Sequence, residues 1–105
     1  MTDAILVLTM LPNADAAVEL ARTLVGEKLA ACANILPAAR SIYRWKGKLE
    51  DANEVLVLLK TRSEHFDRIR ARILELHPYE VPEVLSIPIE QGYYPYLEWL
   101  ARETS

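Results

Sequence analysis

Cys32 is the first of three features in this sequence whose side chains could do chemistry. It is the only cysteine and lies between small apolar residues, in Ala31-Cys32-Ala33. A thiolate is the kind of ligand that copper(I), mercury and zinc accept, so Cys32 is a candidate metal ligand. The alternative is a small buried hydrophobic residue, because free cysteine is among the most buried residue types. One thiolate holds a metal poorly, so a real site would need ligands from neighbouring residues or other subunits.

The second feature is the segment of residues 77–83, with the sequence HPYEVPE. Its two prolines restrict the backbone, so His77, Tyr79 and Glu80 would be presented at a low entropic cost. This arrangement suits a site in which His77 supplies a second metal ligand. The alternative is a stiff connection between a helix and a strand, with His77 bonded to the last helix carbonyls. The residues alone leave both interpretations open.

The third feature is the set of aromatic and cationic residues in the middle of the chain. Tyr43 and Trp45 share one face of a strand by its period of two, and such a pair near a hairpin tip favours a subunit interface. Lys60 ends an apolar strand, where a partly desolvated charge needs a partner or a ligand. We therefore predict that Lys60 and Glu80 share a polar cleft at a subunit boundary. His65 has no partner at helical spacing and is expected to be a solvated helix residue.

Composition excludes several classes of protein. The 105 residues predict one domain, residues 1–105, and 12 basic against 15 acidic residues give a net charge of −3, which does not favour nucleic-acid binding. The apolar runs have strand length, so no membrane partner is expected. The opening residues lack the basic and apolar parts of an export signal, and a cytoplasmic protein is expected. Phosphate-binding glycine loops, serine-hydrolase elbows and zinc-protease spacings are missing, which does not exclude an enzyme but leaves no reaction that spacing can assign. We expect the chain not to be an enzyme, with an unrecognised hydrolase as the remaining alternative.

Hydrophobic periodicity predicts the elements that must position these side chains. Asn13 or Asp15 can cap a first helix of about 15 residues, Gly47 can supply the positive φ of a hairpin turn, and Ser63 can cap a second helix that ends at His77. Residues 37–39 predict a kink or a bulge in the first hairpin strand. The predicted strands lie in residues 4–10, 30–62 (a hairpin of two) and 84–89, and a last helix covers residues 94–102. The order β-α-β-β-α-β plus a C-terminal helix predicts an α+β, ferredoxin-like antiparallel sheet with two helices on one face.

Four blocks in this order resemble the CutA divalent-cation-tolerance family. They are ACANI at residues 31–35, SIYRWKGK at 41–48, KTR at 60–62 and HPYEVP at 77–82. The resemblance implies a ferredoxin-like subunit in a cytoplasmic homotrimer, with a role in tolerance of copper and other divalent metals. It also implies a cleft between subunits in which the family's polar residues gather. The matching positions are Cys32, Tyr43, Trp45, Lys60, His77, Tyr79 and Glu80.

Two functional hypotheses follow, and neither requires a constitutive cofactor. In the first, the trimer is a metal-response protein that binds copper or another soft metal ion through Cys32, with His77 as a second contributor. In the second, it is a signalling trimer similar to PII-like regulators, with a small anionic molecule in the cleft near Lys60 and Arg62. The residues assigned to ligand binding under these hypotheses are Tyr43, Trp45, Lys60, Tyr79 and Glu80.

Overall fold

A computed structural model describes residues 2–105 of the chain. The elements follow the predicted order, and the last helix is one residue longer and the last strand two residues shorter than expected. A single 3-10 turn, Ser63–His65, precedes the second helix. The strands are β1 (Ala4–Leu11), β2 (Cys32–Trp45), β3 (Lys48–Arg62) and β4 (Leu85–Pro88), and the helices are α1 (Ala14–Gly26), α2 (Phe66–Leu76) and α3 (Tyr94–Glu103).

The four strands form one antiparallel sheet in the order β2-β3-β1-β4. Because β1 pairs with both β3 and β4, its residues lie at the centre of the sheet; Leu6, for example, stands between Lys60 and Ile87. This sheet with its helices confirms the predicted α+β, ferredoxin-like fold. Among the described residues, no helix has the length and apolar character needed to cross a membrane.

The main core lies between α1, α2 and one face of the sheet. Every second side chain of each strand points to this face, and helix residues spaced three and four apart pack against them. The helix α1 begins where the Asn13 side chain accepts a hydrogen bond from the amide of Ala16 at 2.8 Å, as predicted. The buried residues of this layer include Val7, Leu20, Leu24, Val57, Leu59, Ile69 and Ile73.

The start of α2 differs from the prediction in two respects. The Ser63 side chain does not cap the helix; instead its backbone amide donates to the carbonyl of Asp3 at 2.7 Å. His65 is buried rather than solvated, and its Nε2 donates to the carbonyl oxygen of Thr104 at 2.6 Å. Arg62 also donates to this carbonyl, at 2.7 Å. The end of α3 therefore covers His65, through a contact that local spacing cannot indicate.

The β2–β3 hairpin has the predicted turn and the predicted irregularity. Lys46 and Gly47 both have positive φ, 49° and 80°, which is the type I′ geometry that matches the strand twist. Between the pairs Leu36–Leu56 and Ala39–Glu54, β2 contains one residue more than β3. This bulge inverts the alternation of side chains along β2.

The bulge determines which face the distal half of β2 presents. Cys32 pairs with Lys60 before the bulge, and Tyr43 pairs with Glu50 after it, so all four side chains lie on the face opposite α1 and α2. We call this the open sheet face. Half-buried or exposed apolar side chains occupy its centre: Leu6, Leu8, Met10, Leu36, Leu56, Leu58, Leu85 and Ile87.

Candidate functional site

The structure divides the predicted site residues between the two ends of the hairpin. Trp45 lies at the hairpin tip, whereas Cys32 begins β2 and pairs with Lys60. The twelve residues between Cys32 and Trp45 correspond to about 40 Å of extended strand. Tyr43, Trp45, Tyr79 and Glu80 come together at the tip, and His77 lies behind Tyr79.

A groove at the hairpin tip is formed by two adjoining cavities, and we call it the aromatic groove. The cavities have volumes of about 330 and 230 Å³ and share Tyr43, Trp45, Tyr79 and Val81 as walls. The larger cavity is also lined by Pro78 and Glu80. The smaller one is also lined by Met10, Glu54 and Glu83.

Glu54 is a residue of this site that the sequence analysis missed. Its side chain is only 7% exposed, and its Oε2 accepts a hydrogen bond from the Tyr79 hydroxyl at 2.7 Å. Burial, together with this bond, raises the pKa of Tyr79, which stays a phenol that donates its proton. The strand alternation could have placed Glu54 on the open sheet face. Its burial depends on the loop that carries Tyr79, which sequence spacing does not reveal.

His77 anchors the loop that carries Tyr79. Its Nε2 donates to the carbonyl of Met10 at 2.7 Å, and its Nδ1 accepts from the amide of Tyr79 at 3.1 Å. The two rings also pack, with centroids 4.7 Å apart. Burial lowers the pKa of His77, which favours the neutral ring that this pattern requires.

These contacts count against His77 as a metal ligand within one chain, and that assignment stays a prediction. Both of its ring nitrogens are engaged, so neither has a free lone pair for a metal, and Cys32 lies at the far end of the hairpin. In residues 2–105, no group of three or more histidine, cysteine, aspartate and glutamate side chains could hold a metal ion.

Cys32 and Lys60 form a cross-strand pair on the open sheet face. Cys32 is half-buried in a single chain, with Sγ 3.8 Å from Oδ1 of Asn34, and its interpretation as a buried hydrophobic residue of the assembled protein stays a prediction. The Lys60 ammonium lies 5.7 Å from the ring centroid of Tyr96 in α3. A thiol and a cation thus lie side by side at this end of the sheet.

Glu80 is not paired with Lys60 within one chain. Its carboxylate lies 3.6 Å from the ammonium of Lys46, the turn residue at the hairpin tip. Lys60 and Glu80 therefore belong to opposite ends of the hairpin. The predicted cleft that joins them would need two chains, and it stays a prediction.

Comparison with known proteins identifies the family. Residues 5–103 match the family model described as CutA1 divalent ion tolerance protein. The chain belongs to the CutA family. It is 44% identical over 98 residues to the divalent-cation tolerance protein CutA of Thermus thermophilus, which covers 93% of this chain and 95% of that protein. The crystal structure of CutA from Xylella fastidiosa superimposes with a TM-score of 0.96 at 38% identity, and covers 99% and 100% of the two chains.

Other CutA relatives differ in length and in the compartment that their names give. The CutA homolog of Xenopus laevis is 53% identical over 89 residues, and the match covers 85% of this chain but only 59% of that protein. The chain spans about half the length of the human relative, 52%. A relative from Arabidopsis thaliana is named chloroplastic, and a structure from Archaeoglobus fulgidus is described as periplasmic. Family membership therefore does not fix a compartment, and the cytoplasmic location stays a prediction.

Proposed function

We propose that this protein acts in tolerance of divalent cations as a non-enzymatic homotrimer. The observation that carries the proposal is the family match over residues 5–103, together with relatives from Thermus thermophilus and Yersinia pestis that are named for divalent-cation tolerance. The cytoplasm is the proposed compartment. The role is tested by growth in increasing copper concentrations. A strain that lacks the gene is compared with the same strain after the gene is restored. Equal copper sensitivity of the two strains contradicts it.

The apolar open sheet face supports assembly. Leu85 and Leu8 pair across the edge of this face, and Leu85 is 53% exposed in a single chain. Large apolar patches on a protein surface mark interaction sites, and most homo-oligomers form them with closed symmetry. The free edges of β2 and β4 offer further backbone groups for pairing between chains.

Analytical ultracentrifugation with a matched pair of variants tests the trimer. Leu85→Glu places a charge on the open sheet face and should lower the sedimenting mass. Leu74→Glu places the same charge at a residue of equal exposure, 54%, on α2 and should leave the trimer intact. A monomeric or dimeric wild-type protein, or equal masses for the two variants, contradicts the proposed assembly.

For the metal response, we propose weak binding of copper(I) through the Cys32 thiol. The half-buried thiol on the open sheet face supports this, because chains that pack there can bring several thiols or polar groups together. Cys32→Ser should abolish copper(I) binding in a chelator competition, whereas His77→Gln should not, since both His77 nitrogens are already engaged. Unchanged copper(I) affinity in Cys32→Ser removes the thiol from the mechanism.

The second candidate function is a signalling trimer with a small anionic ligand near Lys60. The Lys60 side chain supports it, because its ammonium group lies at a half-buried position beside the ring of Tyr96. Arg62 is less suited to such a ligand, because it already donates to Thr104 and pairs with Glu64. Anion binding that is lost in Lys60→Gln and kept in Cys32→Ser would favour this candidate over metal binding.

A further inference from the structure

We propose that the aromatic groove binds a small organic primary ammonium ion between the rings of Tyr43, Trp45 and Tyr79 and the carboxylate of Glu54. This site goes beyond the proposed role in metal tolerance. The groove is lined by residues of one chain and contains neither Cys32 nor Lys60. Its residues Tyr43, Trp45, Tyr79 and Glu80 are ones that the sequence analysis assigned to ligand binding, and the proposal adds Glu54 and the class of ligand.

The first argument is electrostatic. Glu54 is 7% exposed and accepts one hydrogen bond, from the neutral Tyr79 hydroxyl. None of the ion pairs formed within residues 2–105 includes Glu54. Glu83 lines the same cavity and Glu80 the adjoining one, so the groove concentrates negative charge. A buried carboxylate is stabilised by a cation that can also donate hydrogen bonds, and an anion would be repelled.

The second argument is the aromatic lining. Tyr43, Trp45 and Tyr79 line both cavities and are each partly exposed in a single chain. The face of an aromatic ring carries negative electrostatic potential and attracts an ammonium group within about 6 Å of the ring centroid. Rings beside a carboxylate therefore recognise both the charge and the apolar chain of an alkylammonium ion.

The third argument is that the chain already places one ammonium group at the rim of the groove. The Nζ of Lys46 lies 5.6 Å from the centroid of the Trp45 ring and 3.6 Å from Oε2 of Glu80. Both groups of the ion pair are largely exposed, so water and other cations can replace this contact. Lys46 thus acts as a tethered, weak competitor for a free ammonium ligand.

The geometry also limits the class of ligand. Cavities of about 330 and 230 Å³ are small for a binding pocket and suit a short chain rather than a nucleotide or a peptide. The acceptor oxygens of Glu54 favour an ammonium group with N–H donors over a quaternary one. Because Glu80 lines one cavity and Glu54 the other, a short diamine matches the groove better than a monoamine.

Isothermal titration calorimetry on the assembled protein tests the proposal with an isosteric series. The probes are 1,5-diaminopentane, the neutral 1,5-pentanediol and the anionic glutarate, which share a five-carbon chain. We expect saturable binding of the diamine with a Kd below about 10 mM and no binding of the other two. No saturable binding of the diamine, or equal binding of the diol, overturns the proposal.

Variants then locate the binding. Glu54→Gln keeps the shape of the side chain but removes its charge, and should weaken diamine binding by about tenfold or more. Lys46→Gln removes the tethered competitor and should tighten binding. Arg44→Gln is the control. It removes an equal charge two residues earlier, from a β2 side chain on the face opposite Tyr43 and Trp45, and should have less effect than Lys46→Gln.

The two sets of variants keep the test decisive. Unchanged affinity in a folded Glu54→Gln protein overturns the proposal. If circular dichroism shows that Glu54→Gln does not fold, the comparison at the hairpin tip decides. Equal effects of Lys46→Gln and Arg44→Gln would then show a general charge effect and overturn the site.

Discussion

Replacing Tyr79 by phenylalanine tests whether the Tyr79–Glu54 hydrogen bond holds the loop against the hairpin. The change removes one hydroxyl and keeps the ring that packs against His77. The lost bond is 2.7 Å long and ends on a carboxylate that is only 7% exposed, so water can replace it only from the groove side. We expect Tyr79→Phe to lower the free energy of unfolding.

The magnitude follows from the charge of the acceptor and the exposure of the donor. Hydrogen bonds to charged groups contribute about 1.5–3 kcal/mol, and the half-open position of Tyr79 places this one in the lower half of that range. We expect a loss of about 2 kcal/mol for Tyr79→Phe. A double-mutant cycle with Glu54→Gln should give a coupling free energy of about 1–2 kcal/mol, because both changes remove the same contact.

Guanidinium unfolding at one fixed subunit concentration is the suitable assay, because the proposed assembly makes stability depend on concentration. Tyr93→Phe is the control, since that ring is 78% exposed, and its effect should stay within about 0.5 kcal/mol. A loss below about 0.5 kcal/mol for Tyr79→Phe, or additive losses in the cycle, would refute the reasoning.

Three further predictions concern the bulge, the anchor of the loop and the C-terminal contact. Ala38 has a φ of 66°, so Ala38→Gly should stabilise the protein by about 1 kcal/mol in guanidinium unfolding, and a loss would contradict the strain. Burial lowers the folded-state pKa of His77, so its contribution to stability is present above about pH 6.5 and decreases as the pH falls below that value. The melting temperature of His77→Gln should therefore depend less on pH below about pH 6.5 than that of the wild type, and an equal pH dependence would contradict this. Thr104→Val removes the acceptor of the 2.9 Å bond from Arg62 Nε and should cost about 1–3 kcal/mol, whereas an effect no larger than that of Ser105→Ala would count against this bond.

The parts of the fold that the sequence could predict depend on neighbours along the chain. Gly47 indicates a tight turn because few other residues adopt its φ, and Asn13 indicates a cap because its side chain reaches an amide three residues away. The bulge at residues 37–39 was predicted for the same local reason. The alternation of β1 and the spacing in α2 then indicate which residues face the core.

The parts that the sequence could not predict depend on contacts between distant segments. His65 is buried by Thr104, 39 residues later, and Glu54 by Tyr79, 25 residues later. Both lie at positions where local spacing predicts solvent exposure. The bond from His77 to the carbonyl of Met10 joins residues 67 positions apart, so the local sequence could not indicate it.

The bulge links the candidate sites of this protein to its assembly. One extra residue in β2 brings Tyr43 and Trp45 to the same face as Cys32 and Leu36. If chains assemble through this face, the thiol and the aromatic groove lie along one subunit boundary, at opposite ends. A ligand that binds the assembled form more tightly than the free chain must then stabilise the assembly by the same free energy, wherever it binds along the boundary. If copper(I) is held by thiols of several chains, it should therefore lower the concentration at which the assembly dissociates, whereas a diamine held by one chain should do so only where assembly tightens the groove.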